Sequence, residues 1–309
     1  MSSAPPVALL FPGQGAQTVG MGRALCDREP AARALFETAD AALGLPLSRV
    51  CFEGPAEELQ RTLHAQLALY VHALAVWTIW RRDHAEPPMA LAGHSLGEFT
   101  AWTVSGALDF DDGLRLVQRR AEAMEAACRA RPGTMAAILG LDAERVTALC
   151  ESVSGIVQPA NFNAPGQVVI SGEVAAVQAA AAAATAAGGK ARMLRVAGAF
   201  HSPLMAAAAA EFTTEVAAVP LRSPQMPVVA NATAEAVTTA AGVRAAMAAQ
   251  LLAPVRWQAS LARMWELGAR RFIELGAGTV LAGLVKRTLP DAEVHSIGDE
   301  ALVAAGAVS

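Results

Sequence analysis

Lysine is almost missing from this sequence: Lys190 and Lys286 are the only two, in a chain rich in arginine and alanine. That is a compositional bias and excludes nothing by itself. Other absences exclude more. The four cysteines, Cys26, Cys51, Cys128 and Cys150, are widely spaced and form no C-x-x-C pair. Neither a zinc site nor a disulfide framework is indicated, no metal or cofactor is called for, and reduced, buried thiols are expected. No basic segment opens the chain, and the apolar run at residues 7–11 is too short for a signal-peptide core. Residues 67–80 are apolar but interrupted by His72 and Thr78, and they fall short of the about 18 residues needed to cross a bilayer. The expectation is a cytoplasmic monomer with no membrane contact.

Charge of one sign is also lacking. The formal net charge is −4, which gives no global attraction to nucleic acid or to an anionic membrane, so an acidic partner must find a local basic patch. What is present is apolar material: 54% of the 309 residues are hydrophobic and 17% charged. That suffices for a sizeable core in one large domain or two unequal ones.

In the first half, short apolar runs alternate with helical patterns. Residues 7–11 and 89–92 read as strands ending at Gly13 and Gly93, with helices expected at 56–63 and 67–81. Strands alternating with helices imply a mainly parallel sheet covered on both faces. From Thr134 the order becomes β-α-β-β-α-β, with strands at 135–141, 157–162, 167–171 and 191–196 and helices at 143–152 and 174–187. That order marks a ferredoxin-like unit. After His201 the first pattern resumes, with strands at 226–230 and 271–275 and helices at 240–252 and 255–267. The expected fold is α/β: a hydrolase-like large domain made of residues 1–129 and 199–309, with a ferredoxin-like small domain, 130–198, inserted in it. No solenoid repeat is present, and pockets form preferentially at such a domain interface.

Gly93-His94-Ser95-Leu96-Gly97 fits G-x-S-x-G where a strand gives way to a helix expected over 98–105. Nucleophilic chemistry needs a sharp turn that lifts the hydroxyl clear of the sheet, and the helix start offers free N–H groups for an oxyanion. A serine that merely caps the helix remains the alternative. Gly13-Gln14-Gly15 is no dinucleotide fingerprint, since Thr18 replaces the third glycine, and no Gly-Lys-Ser/Thr follows for a phosphate loop. It is a turn at a strand end, able to aim an N–H into the same crevice.

A serine of ordinary pKa needs a base. Of the six histidines, His72 lies in an apolar helix, while His84 and His295 sit in polar or terminal contexts. His94 sits on the strained turn with its ring directed away from the hydroxyl. His201, in Gly198-Ala199-Phe200-His201-Ser202, lies where the chain returns from the small domain, overhanging the cleft. In the helix after Asp111-Asp112, the apolar stripe of Leu114, Val117, Ala121 and Met124 places Arg120 at its border and Arg119 opposite. A half-buried guanidinium suits a carboxylate, from substrate or from a structural ion pair.

Together with Asn161-Phe162-Asn163-Ala164-Pro165-Gly166-Gln167 and Gln250, these motifs, in this order from about residue 7 to 289, closely resemble the malonyl-CoA:acyl carrier protein transacylases and the related acyltransferases of polyketide synthesis. The resemblance implies a ping-pong transfer of a malonyl group from malonyl-CoA through Ser95 to the phosphopantetheine thiol of acyl carrier protein, in fatty acid biosynthesis. It implies His201 as base, oriented by a main-chain carbonyl near Gln250, and an oxyanion hole from the N–H groups of Gln14 and Leu96. Arg120 would bind the substrate carboxylate, and Gln66, His94, Phe200 and Gln250 would shape or orient the pocket. Phe200 implies poor acceptance of an α-methyl group. Gln66-Leu67 replaces the Gln-Pro common in the family, and Gly198 stands where many polyketide-type members have histidine. Lys190, Arg192, Lys286 and Arg287 are the docking expectation for the acidic carrier. A trans-acting polyketide acyltransferase, a serine esterase and a non-catalytic docking subunit are the alternatives.

Overall fold

Val7-Ala-Leu-Leu-Phe11 is apolar at every position, as a strand covered on both faces must be, and it forms β1 (Val7–Phe11) at the middle of a six-stranded sheet. The computed structural model describes residues 5–305, so the outermost ends of the expected large domain, 1–4 and 306–309, lie outside the described residues. The remaining strands are β2 (Ala90–Gly93), β3 (Thr134–Leu139), β4 (Val157–Ala164), β5 (Gln167–Gly172), β6 (Lys190–Met193), β7 (Val228–Val229), β8 (Ala236–Val237), β9 (Arg271–Leu275) and β10 (Glu293–Ile297). The large sheet has the order β10-β9-β1-β2-β7-β8, parallel throughout except for the β7/β8 pair. Leu9 of β1 lies beside Leu91 of β2 and Ile273 of β9. The chain leaves β1 toward β2 on one side and later returns to β9 on the other. The carboxyl end of β1 is therefore the switch point at which an open α/β sheet offers a crevice.

The second sheet is wholly antiparallel, in the order β4-β5-β3-β6, which is the ferredoxin-like arrangement. Alternation along β5 assigns its faces. Val168 and Ile170 pack with Ala136, Ile138 and Val177 under the helices Ala143–Glu151 and Val174–Ala186, whereas Val169 joins the main core. The small sheet is tied by backbone to the segment before the helix Trp257–Glu266: Phe162 N–H donates to Val255 O and Val255 N–H to Ala160 O, each at 2.8 Å.

Some boundaries differ from expectation for identifiable reasons. The helix expected over 56–63 breaks after Leu59, because Arg61 takes an extended conformation and starts a new helix, Thr62–Trp80. That helix is long and apolar enough to cross a membrane by composition, but 78% of its most apolar stretch is buried inside the protein. A helix apolar on every side is what a core position demands. The strand expected over 191–196 ends at Met193, with one further backbone bond from Leu194 N–H to Met135 O at 2.9 Å, and Leu194 and Val196 line a cavity. β10 went unread because the only apolar residues of its EVHSI segment, Val294 and Ile297, are three apart and so share no face of a strand at this half-exposed sheet edge.

Candidate active site

Ser95 sits between β2 and the helix Gly97–Val104 with φ of +50°, in the left-handed region that non-glycine residues rarely occupy. Such strain persists only where its surroundings over-determine it, and here the neighbours do so. A Cβ on Gly97 would stand 2.1 Å from the carbonyl oxygen of Phe11, and one on Gly93 would stand 1.9 Å from the carbonyl carbon of Gly97. The elbow can press against the end of β1 only because both flanking residues lack side chains. The Ser95 N–H is held by Asn231 Oδ1 at 2.7 Å.

Two groups converge on the hydroxyl. His201 Nε2 lies 2.8 Å from Ser95 Oγ, and Arg120 Nη2 donates to the same oxygen at 3.0 Å. His201, 4% exposed, also has a positive φ, of +56°. Its Nδ1 faces two carbonyl oxygens, Gln250 O at 3.0 Å and Ala253 O at 3.1 Å. A nitrogen between two acceptors carries the proton, so Nε2 presents its lone pair to the serine. Among the described residues, no carboxylate orients the ring. Burial first, then the charge of Arg120, pulls His201 down to about 3, so it is neutral at every working pH.

Arg120 is 1% exposed on the helix Phe110–Ala130, whereas Arg119 is half exposed and paired with Glu122. The guanidinium donates to Gln250 Oε1 at 3.0 Å, to Gln66 Oε1 at 2.6 Å and to Ser95 Oγ. All three acceptors are neutral. Burial lowers Arg120 to about 10, which leaves it charged at neutral pH. Gln66 Nε2 reaches on to Gln14 Oε1 at 3.3 Å. Among the described residues, neither the Gln14 nor the Leu96 N–H has an internal acceptor, and both residues line the cavity.

That cavity, of about 300 Å³, lies over the switch point between the two sheets, and Ser95, His201, Arg120, Gln66, His94 and Phe200 are in its wall. His94 turns its ring away from the hydroxyl, with Nε2 on Asn163 Oδ1 of β4 at 2.9 Å; burial lowers its pKa. Gln250 is buried behind the wall. Gly198 accommodates no histidine without rearrangement, since even a Cβ there would fall 2.2 Å from the Sγ of Cys128. All four expected docking residues, Lys190, Arg192, Lys286 and Arg287, are exposed, and Arg287, on the helix Val280–Thr288, also donates to Gln167 Oε1 of β5 at 2.7 Å. Sequence reasoning missed Glu98 and Asn231, which contact the elbow and Gln250 from behind. The only signal was Glu98's place in the first turn after the G-x-S-x-G motif.

Residues 8–305 match the family described as acyl transferase domain. The chain is 42% identical over 285 residues to a malonyl CoA-acyl carrier protein transacylase of Bacillus subtilis, covering 91% of this chain and 90% of that protein. It superposes with a TM-score of 0.93 on an acyl carrier protein S-malonyltransferase from Vibrio cholerae, at 37% identity over 97% of this chain and 99% of the other. The same score and identity hold for a malonyl-transacylase solved in complex with its type II polyketide acyl carrier protein, covering 97% of this chain and 98% of that one.

Proposed function

This chain belongs to the acyl transferase family of malonyl-CoA:acyl carrier protein transacylases, and from that premise we propose that it carries the malonyl group as an ester on Ser95, with His201 as base and Arg120 as the clamp for the free carboxylate. The enzyme transfers malonyl groups from malonyl-CoA to acyl carrier protein in fatty acid synthesis. Convergence of His201 Nε2 and Arg120 Nη2 on one hydroxyl is the observation that carries the residue assignments.

As Ser95 Oγ attacks the thioester carbonyl, its proton passes to His201 Nε2, and the oxyanion forms against the free N–H groups of Gln14 and Leu96. The C–S bond breaks, and His201 returns the proton to the departing CoA sulfur. In the second half-reaction the carrier thiol gives its proton to His201 and attacks the malonyl ester, and Ser95 recovers a proton as the ester bond breaks. The malonyl carboxylate replaces neutral acceptors on Arg120 with an anion. Its charge offsets the cation that depresses His201, so a carboxylated substrate raises the basicity of its own catalyst. Acetyl would leave the guanidinium without that partner, which disfavours it and equally disfavours a generic esterase reading.

The same reading divides the chain at residues 130 and 198, places Phe200 against α-methyl groups, docks the carrier on Lys190, Arg192, Lys286 and Arg287, and takes the enzyme as a cytoplasmic monomer. Similarity to the polyketide transacylase complex supports a polyketide carrier as the second reading. Replacing Arg120 by alanine tests the clamp. Malonyl transfer is expected to fall about 100-fold or more while acetyl transfer holds or rises; unchanged malonyl preference would refute the assignment.

A further inference from the structure

Behind the cavity one ionisable side chain has no part in the steps above. Glu98, in the first turn of the helix Gly97–Val104, is 1% exposed. Its Oε1 accepts the backbone N–H of Asn231 at 2.7 Å, and its Oε2 accepts the side-chain amide of Gln250 at 2.5 Å. Glu98 is the acceptor in both bonds. A carboxylate fits such surroundings, whereas a neutral acid would need an acceptor for its own proton.

Both partners go on to touch the reacting groups. Gln250 Nε2 donates to Glu98 and, at 2.9 Å, to Ser95 O, which leaves Oε1 to receive Arg120 Nε. Turned over, that amide would present N–H to a guanidinium that can only donate. The main-chain carbonyl of Gln250 holds His201 Nδ1. Asn231, its backbone pinned by Glu98, takes the Ser95 N–H on Oδ1 and donates from Nδ2 to Gly93 O at 2.7 Å.

We propose that Glu98, as a carboxylate, is the positioning residue that fixes the amide of Gln250 and the backbone of Asn231, and through them Arg120, His201 and the Ser95 elbow. The inference rests on the malonyl-transfer reading and adds a charge to it. Arg120 is the cation that acts on Glu98, and the neutral rings of His201 and His94 lie on the cavity side. Burial pushes the Glu98 carboxyl up to about 7, against the pull of Asn231, Gln250 and Arg120. The ionised fraction therefore changes across neutral pH, a range in which His201 of the free enzyme does not titrate. Rising pH through that range completes the amide orientation that Arg120 and His201 need.

The test is the single-turnover rate of Ser95 malonylation by malonyl-CoA, followed by rapid quench from about pH 5.5 to 8.5, for wild type, Glu98→Gln and Glu98→Asp, with melting curves alongside. The wild-type rate should climb with pH through one ionisation near neutrality. Glu98→Gln should be about 100-fold slower at neutral pH and lack that ionisation, and Glu98→Asp should recover part of the loss. A Glu98→Gln enzyme with the wild-type rate and pH profile overturns the inference. If that variant does not fold, the wild-type profile decides, and a flat one overturns it. A wild type that acylates at no pH fails the malonyl-transfer reading itself, an outcome distinct from the others.

Discussion

The imidazole of His201 is charged in the unfolded chain below its ordinary pKa of about 6.5 but stays neutral in the fold, where burial and Arg120 hold it down to about 3. Below about 6.5 the unfolded state binds more protons than the native one, so stability falls as pH falls toward the folded value. The buried Glu98 acts in the opposite sense, since its raised pKa favours the protonated native state and its contribution is lost as pH rises through about 7. The two are separated by difference. On going from pH 7 to 5, wild type should lose about 2 kcal/mol relative to His201→Gln, measured by urea unfolding at both pH values; parallel behaviour would show that the ring is not held neutral. These residues were unequally legible. Ser95 was readable because its motif has a backbone reason, and Arg120 because helical phase separates it from Arg119. His201 could be singled out from six histidines only by its place at the return from the inserted unit. Asn231 carried no signal, since its partners Ser95, Gly93 and Glu98 lie more than a hundred residues away.

At the scale of elements, the elbow depends on a strand end and a helix start approaching within the radius of a methyl group. Gly97→Ala would set a Cβ against the Phe11 carbonyl, a backbone atom that cannot swing aside. The variant should lose about 3 kcal/mol or more of stability and nearly all transfer activity, and a melting point equal to wild type would contradict this reading of the turn. The parallel strands were visible as continuous apolar runs, and the inserted unit as an order of strands and helices. Hidden from sequence were features that depend on what a residue faces. β10 has no apolar face to betray it. The break between Leu59 and Thr62 is set by one extended residue inside an otherwise helical stretch.

For the whole molecule, the account needs both sheets. The large sheet supplies the switch-point crevice, Ser95 and, through the helix Phe110–Ala130, Arg120; the small sheet roofs the crevice with Met135, Asn163 and Val169. His201 enters on the segment that connects them. With a net charge of −4 the molecule has no overall attraction for an acidic carrier. Everything converges on one covalent species, a malonyl ester held in that cleft. Intact-protein mass measurement after brief incubation with malonyl-CoA looks for it directly. The account predicts one malonyl adduct, mapped to Ser95, absent from Ser95→Ala and discharged on adding the thiol form of acyl carrier protein. Free malonate released with no lasting adduct, or an adduct that survives Ser95→Ala, would contradict it.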